Sequence, residues 1–308
     1  MSVVQEERPR PQAWLQQHER SSIFAIRVLV SLTLILGRAA GRVLLYPVCA
    51  YFLLFAPGSR RASRDFLSRV LGRKPHLSEV FRHFYTFASV SLDRVFLLKD
   101  RFNRFEIHVH GGDVLRSLRA GQGHLMIGGH LGSFEVLRAM GREKPVSVNL
   151  LMYEDNARNV ITVCKAIDPE LAQRIIPVGR LDSMLRVADC LERGECVGVL
   201  ADRALDGEGR MPVKFLGQSA LFPVAPFRMA AMLKYEVVFM VGLYRGGKRY
   251  DLYFEKLIGV PELGRADRRT ALSEWVQCYV GRLEHYCRLA PYNWFNYFDF
   301  WDEHRDVQ

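Results

Sequence analysis

The first long apolar stretch covers residues 23–56, where three arginines, Arg27, Arg38 and Arg42, interrupt a mostly aliphatic sequence. A helix that spans a bilayer needs about 20 predominantly apolar residues. One centred here would hold Arg38 and Arg42 near the midplane, at a cost of roughly 2.5–3.5 kcal/mol each. Their i, i+4 spacing puts both on one helical face, where they could meet lipid phosphates together. The pattern favours an embedded or interfacial helical membrane anchor over a spanning helix or a core helix.

From about residue 106 onwards, short apolar runs alternate with amphipathic stretches. The apolar runs cover residues 124–127, 146–152, 174–178, 196–201, 236–243 and 249–257. The amphipathic stretches cover residues 134–141, 156–167, 181–193, 225–234 and 267–288. This alternation predicts an α/β fold with a largely parallel mixed sheet flanked by helices. The last two runs, joined by residues 245–248, indicate an antiparallel hairpin.

These patterns divide the chain into three parts. We expect a polar N-terminal tail over residues 1–22, apolar membrane-anchor helices over 23–56 and an α/β domain over 57–308. The tail lacks a small-residue cleavage site and does not resemble a secretory signal. Arginines are frequent between residues 60 and 73, directly after the anchor. Such a basic run is typical of a contact with anionic lipid headgroups, although a solvated helix face has the same composition.

Composition and charge narrow the possible partners. The 308 residues are 49% hydrophobic and 25% charged, which excludes wholesale disorder and a coiled coil. The 43 basic residues, 35 Arg and 8 Lys, exceed the 33 acidic ones and give a net charge of +10. Arginine pairs bidentately with phosphate and carboxylate, so acidic partners are favoured. No nucleic acid is expected, because the arginines are spread along the chain and no binding-module motif is present.

The six cysteines form no C-x-x-C pair, and no metal site is expected. Their apolar neighbours predict reduced, buried thiols in a cytoplasmic compartment.

The candidate chemistry is concentrated in the segment Gly-Gly-His-Leu-Gly-Ser-Phe-Glu at residues 128–135, between an apolar run and a helical stretch. Within one helix, His130 and Glu135 would point about 140° apart. If His130 lies on the turn and Glu135 in the first helical turn, the carboxylate can fold back to the imidazole. A histidine oriented in this way and abstracting a hydroxyl proton is a general base suited to acyl transfer.

The spacing alone is not specific. A second His-x4-acid pair, His108 and Asp113, runs from an alternating strand into a turn, where a structural role is expected. Glu135 also has a structural alternative, because an acid in a first helical turn complements the helix macrodipole. Asp202 could likewise cap a turn after a strand.

Three blocks of sequence carry a family resemblance. The first is "GGHLGSFE" preceded by "GGDVLRSLRAGQGHLMI", the second is "LADRALDGEGRMPVKFLGQSALFP", and the third is "APYNWFNYFDFW". Together they resemble the late (secondary) acyltransferases of bacterial lipid A biosynthesis, in the lysophospholipid acyltransferase superfamily. The resemblance covers most of residues 40–300.

The resemblance assigns roles to eight residues. It makes His130 the base and Glu135 its partner, and it places Arg158 near the reacting carbonyl. The residues that it implies for binding substrate or holding the site are Arg158, Asp202, Arg203, Gly132, Phe215 and Gly217. The family typically has an Asp-Gln-Asp cluster, whereas this chain has Asp202 and Arg203 with Asp206 displaced. This departure indicates a divergent branch that acylates another lipid or glycolipid.

The expected function is transfer of a fatty acyl chain from an acyl carrier protein or coenzyme A thioester to a hydroxyl or amine of a membrane lipid or glycolipid. Direct attack is expected, because no serine lies in a G-x-S-x-G context. No cofactor or metal is expected besides the thioester co-substrate. The expected location is the cytoplasmic face of the bacterial inner membrane, on an anionic surface, peripheral or anchored. The alternative is a non-catalytic membrane protein that holds anionic lipid.

Overall fold

The computed structural model describes residues 31, 33–119, 122–136, 147–152, 174–178, 182–203, 209–258 and 268–301. The helices are α1 (Arg38–Phe55), α2 (Pro57–Leu71), α3 (Leu77–Leu98), α4 (Gly112–Arg119), α5 (Ser183–Glu192), α6 (Ala225–Leu233) and α7 (Arg268–Leu289). The strands are β1 (Glu106–His110), β2 (His124–Gly128), β3 (Val148–Met152), β4 (Ile175–Pro177), β5 (Cys196–Leu200), β6 (Arg210–Phe215), β7 (Gln218–Pro223), β8 (Val237–Gly246) and β9 (Arg249–Ile258). The predicted tail and the stretch 156–167 lie outside the described residues, as does most of 134–141.

Seven strands form one mixed sheet in the order β1-β9-β8-β2-β5-β3-β4. All neighbours pair in parallel except the hairpin β8–β9, which is antiparallel. Every residue of β2 is buried, as expected for a strand covered on both faces. The predicted fold, a largely parallel mixed sheet flanked by helices, is confirmed, and so is the predicted hairpin.

The register of the two central strands determines which residues follow them side by side at the edge of the sheet. Strands β2 and β5 pair in parallel, with Gly128 opposite Leu200. Both strands therefore end at the same edge of the sheet, and the residues two positions further on, His130 and Asp202, start from neighbouring places. In open α/β sheets this carboxyl edge is where ligand sites form.

The hairpin β6–β7 forms a separate two-stranded sheet that the sequence analysis did not predict. Its turn consists of Leu216 and Gly217, with φ angles of +49° and +89°, between the paired residues Phe215 and Gln218. Two consecutive residues at positive φ are what a tight type I′ hairpin turn requires, and glycine adopts this conformation at the lowest cost. Gly217 thus has a backbone reason to be glycine.

Helix α1 packs closely on α3. Its buried residues, Gly41, Leu45, Cys49 and Leu53, recur at every fourth position and form one face. A β-carbon on Gly41 would lie 2.9 Å from Leu92 of α3, so the small residue permits the close approach of the two helices. Leu45, Cys49 and Leu53 belong to the same apolar core as the sheet.

The two arginines of α1 are bound to protein groups. Arg38 pairs with the fully buried Asp93 of α3 through Nε and Nη2, at 2.6 and 2.7 Å. Arg42 lies 3.4 Å from the same carboxylate and donates to the Tyr244 hydroxyl at 2.5 Å. Tyr250 also donates to Asp93, at 2.9 Å. The expectation that both arginines meet lipid phosphates was therefore wrong. Because a carboxylate buried without water must be paired, they neutralise Asp93 and fasten α1 to the domain.

The opposite face of α1 is apolar and exposed. Its exposed large apolar residues are Val43, Tyr46, Val48, Tyr51, Leu54 and Phe55. Within the described residues, α1 is the helix whose length and composition would suffice to cross a membrane. A large apolar patch on a protein surface marks a contact with another molecule or a membrane. The division into anchor and domain at residue 56 stays a prediction.

The C-terminal aromatic segment belongs to the core. Trp294, Phe295, Phe298, Phe300 and Trp301 are all buried. The Phe295 ring packs on Phe87 of α3, and the other four rings pack on one another and on Phe215 of β6. The segment therefore serves the packing of the core.

Candidate active site

His130 lies in a tight turn directly after β2. Gly132 in this turn has a φ of +71°, and a β-carbon on it would lie 2.0 Å from the Gly242 carbonyl oxygen on β8. Only glycine fits both conditions. The Gly132 N–H donates to the Asn293 carbonyl at 2.8 Å. The amide of Gly132 is thus used inside the protein, and the substrate-binding role implied for this residue stays a prediction.

The imidazole of His130 is held by Asp202. Its Nδ1 lies 2.7 Å from Asp202 Oδ1, and the His130 backbone N–H donates to Oδ2 at 2.8 Å. Trp294 Nε1 donates to the same Oδ2 at 2.9 Å. Asp202 is only 1% exposed, so three N–H groups replace water around its charge.

These contacts fix the tautomer of His130. A carboxylate accepts hydrogen bonds, so Nδ1 carries a proton, and in the neutral ring Nε2 carries a lone pair. The side chain is 32% exposed, and Nε2 has no hydrogen-bond partner in the described part of the chain. The geometry leaves Nε2 available to accept a proton from a bound molecule.

The electrostatic surroundings favour a neutral imidazole beside an ionised carboxylate. Burial lowers the pKa of His130, and the positive charge of Arg203 lowers it further against the opposing effect of Asp202. Burial by itself would raise the pKa of Asp202, but His130, Arg203 and the hydrogen bonds outweigh it and hold this pKa below its usual range. At neutral pH the pair therefore consists of a neutral base and an anion that can stabilise the imidazolium when it forms.

Glu135 is engaged elsewhere. It accepts a hydrogen bond from Ser133 Oγ at 3.0 Å and forms an ion pair with Arg94 of α3 at 2.5 Å. The carboxylate that contacts the His130 ring is Asp202, so the expected fold-back of Glu135 onto the imidazole is not what the structure has. Glu135 ties the turn to α3.

Arg203 adds a positive charge beside this pair. Its Nη2 donates to the Phe295 carbonyl at 3.0 Å, and the guanidinium lies 5.4 Å from the Phe298 ring centroid. Its Nε is buried and has no hydrogen-bond partner among the described residues.

The segment 293–295 closes the site, and sequence reasoning did not assign it there. The Phe295 N–H donates to the His130 carbonyl at 2.7 Å, and Trp294 pairs with Leu131 as an isolated bridge. Together with the Asn293 carbonyl, these contacts hold both sides of the His130 turn. The block "APYNWFNYFDFW" was the available signal, but nothing in it indicates which segment it contacts.

Two further predicted site residues, Phe215 and Gly217, form no hydrogen bond or ring contact with His130 in the described part of the chain. Phe215 is buried with its ring centroid 5.3 Å from that of Trp294, and Gly217 lies in the β6–β7 turn. Arg158 lies outside the described residues. The substrate-binding roles of all three stay predictions. Among the described residues no cluster of three or more His, Cys, Asp or Glu side chains could hold a metal ion.

A small cavity is lined by residues of the His130 turn, by the carboxyl ends of β2 and β5 and by Met240–Gly242 in the middle of β8. Its walls combine glycine backbone with apolar side chains, including Phe134, Leu200 and Met240. It has room for about one water molecule, far less than an acyl chain occupies.

A buried carboxylate that orients a partly exposed histidine, at the carboxyl edge of a largely parallel sheet, is an arrangement that can activate a hydroxyl or an amine. The chain belongs to the bacterial lipid A biosynthesis acyltransferase family, whose match covers residues 14–267. The protein is accordingly an acyltransferase that acts on a lipid, from a membrane-associated family. A comparison with curated proteins finds no match. The segment 293–295 lies beyond the residues that match the family.

Proposed function

We propose that this protein transfers a fatty acyl chain from an acyl carrier protein or coenzyme A thioester to a hydroxyl or amine of a membrane lipid or glycolipid, with His130 as general base. The observation that supports this most directly is the hydrogen bond between His130 Nδ1 and the buried Asp202. It leaves Nε2 unprotonated on a side chain that is partly exposed.

The proton follows a short path in this mechanism. His130 Nε2 takes the proton of the acceptor as its oxygen or nitrogen attacks the thioester carbonyl. Asp202 stabilises the imidazolium that forms. When the tetrahedral intermediate collapses, the carbon–sulfur bond breaks and the leaving thiolate takes the proton from the imidazolium. Ester or amide and free thiol are the products.

Direct transfer is supported by the position of Ser133. Its hydroxyl is buried and donates to Glu135, whose carboxylate is in turn paired with Arg94. Ser133 is therefore hydrogen-bonded to a structural ion pair and not to the base His130. Arg203 Nε, which is buried and has no partner among the described residues, is suited to stabilise the oxyanion or to hold the acceptor. The family resemblance gives Arg158 a role near the reacting carbonyl. The family departure near Asp206 concerns the acceptor, and we propose a lipid or glycolipid other than the usual lipid A acceptor.

The decisive test of this function is chemical identification of the product. Lipid extracts from cells with and without the gene are compared by mass spectrometry, and purified protein is then incubated with the extract and palmitoyl thioesters of acyl carrier protein or coenzyme A. We expect the same lipid species to gain a single acyl group in the cells that carry the gene and in the reaction with purified protein. Lipid binding without any acylated product would support the non-catalytic alternative and overturn the proposal.

We further propose that α1 lies on the cytoplasmic face of the inner membrane through its exposed apolar face. The ion pairs of Arg38 and Arg42 with Asp93 hold the helix on the domain, which favours an interfacial position over a spanning one. Arg61 and Arg64 of α2, directly after α1, are exposed and form no ion pair in the described part of the chain. They supply positive charge for anionic headgroups.

Vesicle flotation tests this position. Changing Tyr51 and Leu54 together to Asp should weaken binding to phosphatidylethanolamine–phosphatidylglycerol vesicles by at least about tenfold, because burying each apolar side chain contributes about 1.5–3 kcal/mol. The matched control changes Leu185 and Met232, exposed apolar residues of α5 and α6, and should bind as the unchanged protein does. Equal binding by both variants would contradict the proposed position.

A further inference from the structure

Asp202 is part of a chain of hydrogen bonds that continues away from His130. Trp294 Nε1 donates to Asp202 Oδ2 at 2.9 Å, and the Trp294 side chain is fully buried. The Trp294 carbonyl accepts from His83 Nε2 at 2.8 Å. His83 Nδ1 lies 2.9 Å from the Ser63 hydroxyl. This series of hydrogen bonds thus connects α2, through α3, with the His130–Asp202 pair.

The chemistry of each group sets the direction of these bonds. A carbonyl only accepts, so His83 Nε2 carries the proton and Nδ1 accepts from Ser63. Burial lowers the pKa of His83 to about 4, which keeps this ring neutral at physiological pH. An indole N–H only donates, so Trp294 always presents a proton to Asp202. Every group in this series of hydrogen bonds therefore has one fixed role as donor or acceptor.

We propose that Trp294 is a positioning residue for acyl transfer: its indole N–H orients the Asp202 carboxylate, and thereby His130, while His83 fixes Trp294 through its carbonyl. This role rests on the proposed function, in which His130 is the base. It extends the functional site to Trp294, which lies beyond residues 14–267 that match the family.

The fold contains a matched control. Trp301 is also a buried tryptophan, its ring centroid lies 6.0 Å from that of Trp294, and both contact Phe215. The Nε1 of Trp301, however, has no hydrogen-bond partner among the residues that the structure describes. Substitution of either tryptophan by phenylalanine makes a similar change in packing. Only W294F removes a hydrogen bond to Asp202.

The first measurement needs no substrate. Diethyl pyrocarbonate reacts with unprotonated imidazole, so mass spectrometry of the His130 peptide at a series of pH values gives the midpoint at which His130 titrates. In W294F the Asp202 charge is less stabilised by donors and attracts the His130 proton more strongly. We expect the midpoint to rise by about half a unit, and we expect W301F to titrate as the unchanged protein does. The midpoint is independent of the amount of folded protein in each sample.

The second measurement is thiol release from palmitoyl-coenzyme A or palmitoyl-acyl carrier protein in the presence of bacterial lipid vesicles. W294F should lower kcat about tenfold with KM for the thioester nearly unchanged, because the lost contact serves the transition state. W301F should keep its kcat. H83L should lower kcat in the same sense as W294F, and H83Q, which retains a donor near the Trp294 carbonyl, should restore it.

Two outcomes would overturn the role of Trp294: a W294F midpoint equal to that of the unchanged protein, or an equal shift in W301F. Failure of the proposed function is distinguishable from both. If no thioester is turned over by the unchanged protein, the function falls, while the titration of His130 still decides whether Trp294 positions Asp202.

Discussion

Replacing His130 with alanine is expected to lower the rate of acyl transfer about a thousandfold, because a positioned general base contributes about 10²- to 10⁴-fold. The imidazole is partly exposed, and its one side-chain hydrogen bond is with Asp202, so the variant should fold. The measurement is thiol release from palmitoyl thioesters with bacterial lipid vesicles, checked by mass spectrometry of the acylated lipid. Undiminished transfer would remove His130 from the mechanism.

The second His-x4-acid pair supplies the control for this experiment. His108 is exposed on the edge strand β1 and has the same spacing to Asp113 as His130 has to Glu135. H108A should retain the full rate, because the edge strand lies on the far side of β9 and β8 from β2. Comparison of H130A with H108A shows whether the loss of activity depends on the position of the histidine in the site or on its spacing to an acidic residue.

The largest effect outside His130 is expected at Asp202. D202N should lower kcat about a thousandfold, since an amide does not stabilise the imidazolium and can hold the imidazole in the wrong tautomer. Its pH dependence has a definite sign. The Asp202 charge raises the pKa of His130, so loss of that charge lowers this pKa and moves the acid limb of the kcat/KM profile to lower pH. The shift is opposite to the one expected for W294F.

The variant E135Q distinguishes the role of Glu135 from that of Asp202. Glu135 contacts Ser133 and Arg94, so this variant should reduce kcat by loosening the turn and leave the acid limb of the pH profile in place. If E135Q moves the acid limb as D202N does, Glu135 is electrostatically coupled to His130. Glu135 would then be the partner of His130, as the motif spacing predicts. An unchanged profile in D202N would exclude Asp202 as the orienting group.

The strands that form the floor of the site were predictable, and the reason is burial. The apolar runs at 124–127 and 196–201 correspond to β2 and β5 with small changes at their ends, because parallel strands covered on both faces leave continuous apolar runs in the sequence. The hairpin β6–β7 was missed, since its polar residues interrupt the pattern. Its Leu-Gly turn is a weaker signal than Asn-Gly.

The partner of His130 was not predictable from spacing. His130 and Asp202 each follow a buried strand by two residues, but sequence does not say that β2 and β5 are neighbours or that Gly128 faces Leu200. A motif six residues long draws attention to Glu135, whereas strand order brings the distant carboxylate of Asp202 into contact. Similarly, Arg38 and Arg42 have the spacing of a lipid contact, and only the packing of α1 on α3 reveals that Asp93 neutralises them.

The wide separation of the site residues along the chain has a consequence for synthesis of the protein. Asp202 follows His130 by 72 residues, and Trp294 follows Asp202 by a further 92. A ribosome therefore completes the imidazole and its carboxylate well before it makes the indole and the backbone groups that close the turn. A nascent chain stopped before residue 293 has both acid–base groups and lacks the segment that holds them in place. Competence for acyl transfer should thus arise only after the final aromatic segment has left the exit tunnel and packed.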